Sequence, residues 1–337
     1  MNNKYDWNGV WILAEQAEGT VQRIGFELLT RGRRLADKRG TTLTAVVLGD
    51  GTDEAGLREL IERGADRVIA ADASELRHFL VEPYAACLHR LIAEYRPEIV
   101  IAGATSLGRT LMPYVAVRAH AGLTADCTEL DIEEGTGNLL QTRPAIGGNI
   151  LATIKTPERR PQMATVRPRS TRPAPRAEGR TGEILRLPAP SDCLKTRVRR
   201  RGFIRDEAEH GVQDADIVVS AGRGIKKGEN VELVRQLAET LAGAFGASRD
   251  VVDRGWLSYP HQVGLSGKTV SPKLYVAIGI SGAIQHLAGM QTADTIVAVN
   301  NDPDAQIFRV ADYGIVGDLF DVVPTLIESI EKRRKEE

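Results

Sequence analysis

The stretch LYVAIGISGAIQHLAG, Leu274–Gly289, decides the fold. Its first half is an unbroken apolar run rich in β-branched residues, which suits a strand covered on both faces rather than one facing water. After Ser281-Gly282 the spacing becomes helical. A buried strand feeding directly into a helix is the repeating unit of a parallel α/β sheet. In such sheets ligands bind beyond the carboxyl ends of the strands, where the next helix presents free N–H groups and its positive dipole end. Ser281 is therefore placed either to cap the helix or to face a ligand, and Gly282 either to make the turn or to clear room for a pyrophosphate. The chain has no GxGxxG in this setting and no GxxxxGK[ST], so it carries neither the dehydrogenase fingerprint nor a P-loop.

The flanking segments repeat the unit. DADIVVSAGRGI (Asp214–Ile225) is a strand ending on Gly-Arg-Gly, where Arg223 could meet a phosphate, and ENVELVRQLAETLAGAFG (Glu229–Gly246) has helical spacing. TIVAVNNDPDA (Thr295–Ala305) ends a strand on Asn300 and Asn301, amides that suit a ribose or adenine edge and equally a tight turn. IFRVADYGIVGDLF (Ile307–Phe320) leads into a final helix from about Leu319 to Lys332, with Asp318 at its start as a cap or a hydroxyl acceptor. Arg249, following the long helix, would either stabilise negative charge on a planar ring or pair with Asp250 or Asp253. Gln262 to Thr269 form a glycine-containing loop whose N–H groups and Ser266 hydroxyl suit such a ring.

The N-terminal half has the same alternation. GVWILAEQ, TVQRIGFELLTRGRRLADKRG, TLTAVVLGD, DEAGLRELIERGA, DRVIAAD, a helix from Pro83 to Tyr95, EIVIAGAT and a helix from Leu107 to His120 predict four or five parallel strands. Beyond Gly122 the pattern changes to strands joined by turns, expected to extend that sheet antiparallel at one edge. From Arg167 to Arg205 the chain is rich in Pro and Arg and has little periodicity, which reads as an interdomain connection. The organisation expected is an α/β domain over 1–166, a linker over 167–210 and a doubly wound domain over 211–337. A chain of 337 residues exceeds the usual ~100–150 per domain, in keeping with two.

Composition narrows the function classes. Hydrophobic residues at 42% and charged residues at 26% describe a packed globular protein. A net charge of -1 supplies no general attraction to nucleic acid, and no aromatics interleave with the Arg-rich stretch, so a solvated linker or a surface for an acidic protein is the plainer account of it. Cys87, Cys127 and Cys193 are odd in number and widely spaced, which argues against a disulfide framework or a metal site and for buried thiols. The start, MNNKYDWNGVWILAEQ, lacks the pattern of a signal peptide, and no run approaches the ~20 apolar residues of a membrane span, so a cytoplasmic protein is expected. No catalytic acid, base or metal cluster stands out. An enzyme acting directly on a nucleotide and a non-redox adenine-nucleotide-binding module are the rival classes.

The run LYVAIGISGAIQHLAGMQTADTIVAVN, Leu274–Asn300, closely resembles the signature of electron-transfer flavoprotein alpha subunits. AGRGIKKGEN, GASRDVVDRG, HQVGLSGKTVSPKLY and DPDAQIFRVADYGIVGDLFDVVP extend the likeness through almost all of Ala221 to Pro324. The resemblance implies an FAD held in the C-terminal domain, contacted by Arg223, Ser248, Arg249, Gln262, Val263, Gly264, Leu265, Ser266, Ser281, Gly282, Ala283, Ile284, Gln285, His286, Asn300, Asp318 and Leu319. Within that set it implies Arg249 near the flavin ring, Ser266 near N5 and His286 near the pyrimidine carbonyl edge. The family commonly has Gln-Thr where this chain has Leu265-Ser266, so the hydroxyl is kept and the neighbouring amide lost.

GVWILAEQ, AGLTADCTEL, QTRPAIGGNILA and RPQMATVRP are similar to the alpha subunits of anaerobic bacteria and archaea, many of which belong to electron-bifurcating proteins. The implied partner is a beta subunit carrying a second FAD or AMP, with an acyl-CoA dehydrogenase or other flavin dehydrogenase, and ferredoxin or flavodoxin in the bifurcating form, as redox partners. A simple carrier fed by acyl-CoA dehydrogenases is the alternative.

Overall fold

The computed structural model describes residues 7–144, 151–202, 211–213 and 215–336, which fall into two compact units. The first opens with β1 (Val10–Leu13), every residue of which is buried, followed by a small hairpin of β2 (Gln16–Ala17) and β3 (Thr20–Val21). Helix α1 (Arg23–Arg39) ends on Gly40, whose left-handed backbone lets its N–H reach the last-turn carbonyls. Next come β4 (Leu43–Gly49), α2 (Glu54–Glu62), β5 (Arg67–Asp72), α3 (Val81–Tyr95) and β6 (Ile99–Gly103). Helix α4 (Ser106–Arg118) is capped by Thr105, whose hydroxyl accepts from Gly108 N–H at 3.1 Å.

The chain then runs through β7 (Gly122–Cys127), β8 (Glu129–Ile132), β9 (Leu139–Pro144), β10 (Leu151–Ile154), β11 (Gln162–Val166) and β12 (Glu183–Pro188). The main sheet is seven-stranded and parallel, in the order β12-β5-β4-β1-β6-β11-β7. Alternate strand residues feed two cores: Val10, Ile12 and Val47 pack under α1 and α2, and Trp11, Leu13 and Leu48 under α3 and α4.

Two expectations change here. The segment beyond Gly122 does not add antiparallel strands to the main sheet: β7 and β11 join it in parallel, and β8, β9 and β10 make a separate antiparallel sheet. The Pro- and Arg-rich stretch read as a linker is, through residue 202, part of the first unit. Its strand β12 pairs with β5 at the sheet edge, where partial exposure blurs the hydrophobic period. Several of its arginines are counter-ions: Arg167 meets Asp126 at 2.7 Å, Arg176 meets Glu62 at 2.6 Å, Arg180 meets Asp66 at 2.7 Å, and Arg186 meets Glu54 at 3.0 Å. The rest of the expected linker, 203–210, lies outside the described residues.

The second unit is built from β13 (Ile217–Ala221), α5 (Val231–Thr240), β14 (Ala244–Ala247), α6 (Arg249–Asp253), β15 (Leu274–Ile278), α7 (Ile284–Leu287), β16 (Thr295–Asn300), β17 (Tyr313–Val316) and α8 (Leu319–Glu336). Its five strands are parallel, in the order β14-β13-β15-β16-β17. Helices α5 and α8 cover one face, with Val234, Leu237 and Val323 against Val219, Val276 and Val299. The other face packs on loop residues such as Val263, Val270 and Met290. The long helix expected up to Gly246 stops at Thr240, and AFGA forms β14 instead. Cys87, Cys127 and Cys193 are free and buried, as expected. Among the described residues no helix is long and apolar enough to cross a membrane.

Candidate functional site

The strand order places a reversal of winding in the second unit. After β13 the chain crosses to β14 on one side and returns to β15 on the other, so the carboxyl ends of β13 and β15 diverge into a crevice. The two ends pack backbone to backbone: Gly222 N–H donates to Ile278 O at 2.8 Å and Gly224 N–H to Gly279 O at 3.0 Å. A Cβ on Gly222 would lie 2.2 Å from Gly279 O, and Gly279 itself has φ +64, so both positions require glycine.

Over this crevice opens a cleft of about 750 Å³, within the range of small-molecule sites. Four strand ends reach it, supplying Arg223, then Ser248 and Arg249, then Ser281, then Asn300. The loop Gln262, Val263, Gly264, Leu265 and Ser266 forms one wall, with Ala283, Gln285 and His286 beside it. That loop is held at both ends, by Val263 N–H to Ala247 O at 2.8 Å and Leu265 N–H to Gln285 O at 2.7 Å.

The remaining sequence candidates do not line the cleft. Gly282 lies against the backbone of Ile307, where a Cβ would come within 2.2 Å of Ile307 N, so this close approach itself requires glycine. Ile284 is partly exposed on α7. Asp318 caps α8, its Oδ1 accepting from Phe320 N–H at 3.0 Å, and Leu319 is buried with its side chain near Gly279. Ser281 does not cap α7, whose N-cap is Ala283 with no side-chain hydrogen bond. Asn300 lines the cleft but spends its amide on structure: Nδ2 donates to Ile280 O at 2.9 Å and Oδ1 accepts from Asp302 N–H at 3.0 Å.

The cleft also gathers Gly224, Asp250, Asp253, Gly279, Ile280, Asn301, Asp302 and Ala305. Asn301 stands with Asn300 in the sequence reading of the β16 exit; the signal for several of the others lies in the exit turns, each of which is a short run of residues. Asp250 and Asp253 enter because α6 begins at Arg249, directly after the strand that the helical reading had absorbed.

The donors are well suited to an anionic ligand with a polar ring. Gln262 Nε2 donates to Ser266 Oγ at 3.0 Å, so that oxygen's own proton is free for an acceptor in the cleft. The N–H groups of Ser281, Gly282 and Ala283 donate to no carbonyl among the described residues, leaving a run of donors at the β15 exit. Arg223 and Arg249 are exposed and tethered through Nε to Asp250 at 3.4 Å and Asp253 at 3.1 Å. Pairs this exposed contribute about 0–1 kcal/mol, so an incoming anion competes for either guanidinium at little cost. His286 is different: its ring is buried, with Nε2 2.9 Å from the Tyr275 hydroxyl and Nδ1 3.1 Å from Val263 O. Burial holds its pKa down to about 4, leaving a neutral imidazole. Among the described residues no group of His, Cys, Asp and Glu could hold a metal ion.

Comparison with known proteins places this architecture. Residues 10–192 match the electron transfer flavoprotein domain, and residues 211–291 match the electron transfer flavoprotein FAD-binding domain. The chain is 49% identical over 330 residues to the electron transfer flavoprotein subunit alpha of Thermoanaerobacterium thermosaccharolyticum, covering 97% of this chain and 99% of that one. It is 46% identical to protein FixB of Clostridium saccharobutylicum (96% and 97% covered) and 43% identical to the acryloyl-CoA reductase electron transfer subunit beta of Anaerotignum propionicum (96% and 95% covered). With both of its units matched and full-length relatives at this identity, the chain belongs to the electron transfer flavoprotein alpha-subunit family.

Proposed function

We propose that the cleft of the second unit holds one FAD and that the chain, paired with a beta subunit carrying a second FAD or AMP, relays electrons between dehydrogenases and other redox proteins. The observation that carries this reading is the donor set at the winding reversal: free N–H groups at the β15 exit, the outward Ser266 hydroxyl and two exposed guanidinium groups around one cleft. These fit the cofactor part by part. The N–H groups of Ser281 to Ala283 and the guanidinium of Arg223 suit the pyrophosphate, and Ser266 suits an acceptor on the flavin ring. Flavin, when bound, supplies one- and two-electron chemistry. The chain's residues bind and orient it, and Arg249 places positive charge where negative charge gathers on reduction.

The named relatives come from anaerobic bacteria, and one is an electron transfer subunit of an acryloyl-CoA reductase, which favours a flavin dehydrogenase acting on acyl-CoA as partner. We assign the protein to the cytoplasm on the same reading. The test is an anaerobic NADH titration of the chain co-expressed with its beta subunit, following the flavin spectrum and counting flavin per heterodimer. Two FAD, reduced by NADH, is the result for an electron-bifurcating assembly that also serves ferredoxin or flavodoxin. One FAD, reduced only by an acyl-CoA dehydrogenase, is the result for a simple carrier. A colourless protein retaining an adenine nucleotide would overturn the flavin reading and favour a non-redox binding module.

A further inference from the structure

We propose that residues 195–201 of the first unit, with the cavity lined by Arg118 and Lys195, form a docking surface for a protein with an acidic face, one carboxylate of which enters that cavity. This surface does not depend on the flavin reading above.

The Arg-rich stretch divides in two. Upstream, Arg167, Arg176, Arg180 and Arg186 face carboxylates of their own unit. Downstream, Lys195, Arg199 and Arg201 are exposed and make no ion pair among the described residues. With a net charge of -1 on the whole chain, this concentration of cations is a local feature. The segment that carries it is held in place. Cys193 is buried in the core under α3, Arg90 of that helix meets Asp192 at 2.7 Å, and the Glu82 carboxylate accepts from Thr196 Oγ1 at 2.9 Å and from Arg197 N–H at 2.7 Å. A backbone fixed in advance leaves less to be ordered when a partner arrives.

Beside the segment opens a cavity of about 380 Å³, lined by Arg118 of α4 and Lys195 and also by Glu82 and Asp192. Glu82 is engaged by Arg197 at 2.6 Å and Asp192 by Arg90, so Arg118 and Lys195 are the cavity's cations without a carboxylate among the described residues. The mixed signs select the class of partner. Nucleic acid or a layer of anionic headgroups carries a charge on every unit and would meet Glu82 and Asp192 as well as the cations. The half-buried Tyr114 ring already carries the Arg118 guanidinium 5.0 Å from its centroid, which leaves a poor platform for a base. A protein face brings spaced carboxylates for the cations and its own donors for the acids. Val117 and Val198, 76% and 55% exposed, adjoin Arg118 and Arg197 in the chain and supply the apolar contact that a protein interface uses.

The test is fluorescence anisotropy of labelled decaglutamate with the heterodimer. Wild-type protein should bind it, about tenfold more weakly when NaCl rises from about 50 to about 200 mM. Lys195→Glu/Arg199→Glu/Arg201→Glu should weaken binding about tenfold or more while melting as the wild type does, and Arg118→Gln alone should weaken it about threefold. Arg34→Glu/Arg58→Glu/Arg159→Glu changes the net charge equally at exposed positions elsewhere and should weaken it by less than about threefold. Absent binding, or equal loss in the two triple variants, would overturn the surface. A short DNA duplex or a phosphatidylserine vesicle held more tightly than the peptide by the same residues would overturn the protein partner. Arg118→Gln and the salt dependence of the wild type decide the matter even if the triple variant fails to fold.

Discussion

Ser266 and His286 share one wall of the cleft, and their neighbours assign them opposite tasks. The oxygen of Ser266 is occupied by the Gln262 amide, so its proton must look for an acceptor outside the loop. Replacing it by alanine should weaken flavin binding about 5-fold, the worth of one hydrogen bond, whereas Ser266→Thr should retain it; FAD titration of flavin-stripped protein measures both. An unchanged dissociation constant for Ser266→Ala would mean that the hydroxyl touches nothing. For His286 the sign of the pH effect follows from burial. Its folded pKa, near 4, lies below the ordinary 6.5, so the unfolded chain binds a proton first. Stability should be fully present above about pH 6.5 and fall as pH drops toward 4. Urea unfolding across that window should lose part of this slope in His286→Asn; equal slopes would refute the buried neutral ring.

Most elements were legible because their runs are long and buried on both faces, as in Leu43–Gly49 and Leu274–Ile278. Two strands of the parallel sheets escaped. AFGA is short, contains glycine and follows a helix without a break, so the helical period swallowed it; β12 is half-exposed and set among prolines and arginines. The site was legible wherever a strand run ended on a polar residue. It was not legible where a residue's role depends on what packs against it, as with Gly282 on Ile307 and Asn300 bridging to Ile280. Each case carries a consequence. Gly222→Ala forces a Cβ into the Gly279 carbonyl and should cost about 2 kcal/mol or more in equilibrium unfolding; wild-type stability would show that the two strand ends are not in contact. A chain ended after residue 166 loses β12 and bares the β5 edge. It should aggregate or melt well below a chain ended after residue 202, and equal melting would restore the linker reading.

The two units repeat one architectural idea, a parallel sheet wound on both sides, and a cleft of about 750 Å³ opens at the strand ends of the second. The first unit instead spends its exit residues on itself. At the reversal between β1 and β6, Thr105 both caps α4 and donates to Glu15 Oε1 at 2.6 Å, and a Cβ on Gly103 would meet Ile24 at 2.6 Å. Burial raises the Glu15 pKa, against the lowering effect of its Thr105 hydrogen bond. The proposed flavin is accordingly assigned to the second unit. The decisive measurement is FAD uptake by the flavin-stripped heterodimer, wild type against Ser281→Trp, whose indole would occupy the mouth of the cleft from an exposed position. The account predicts that the variant loses one flavin equivalent, with at least about a tenfold weaker dissociation constant at that site. Full flavin uptake by Ser281→Trp would contradict it.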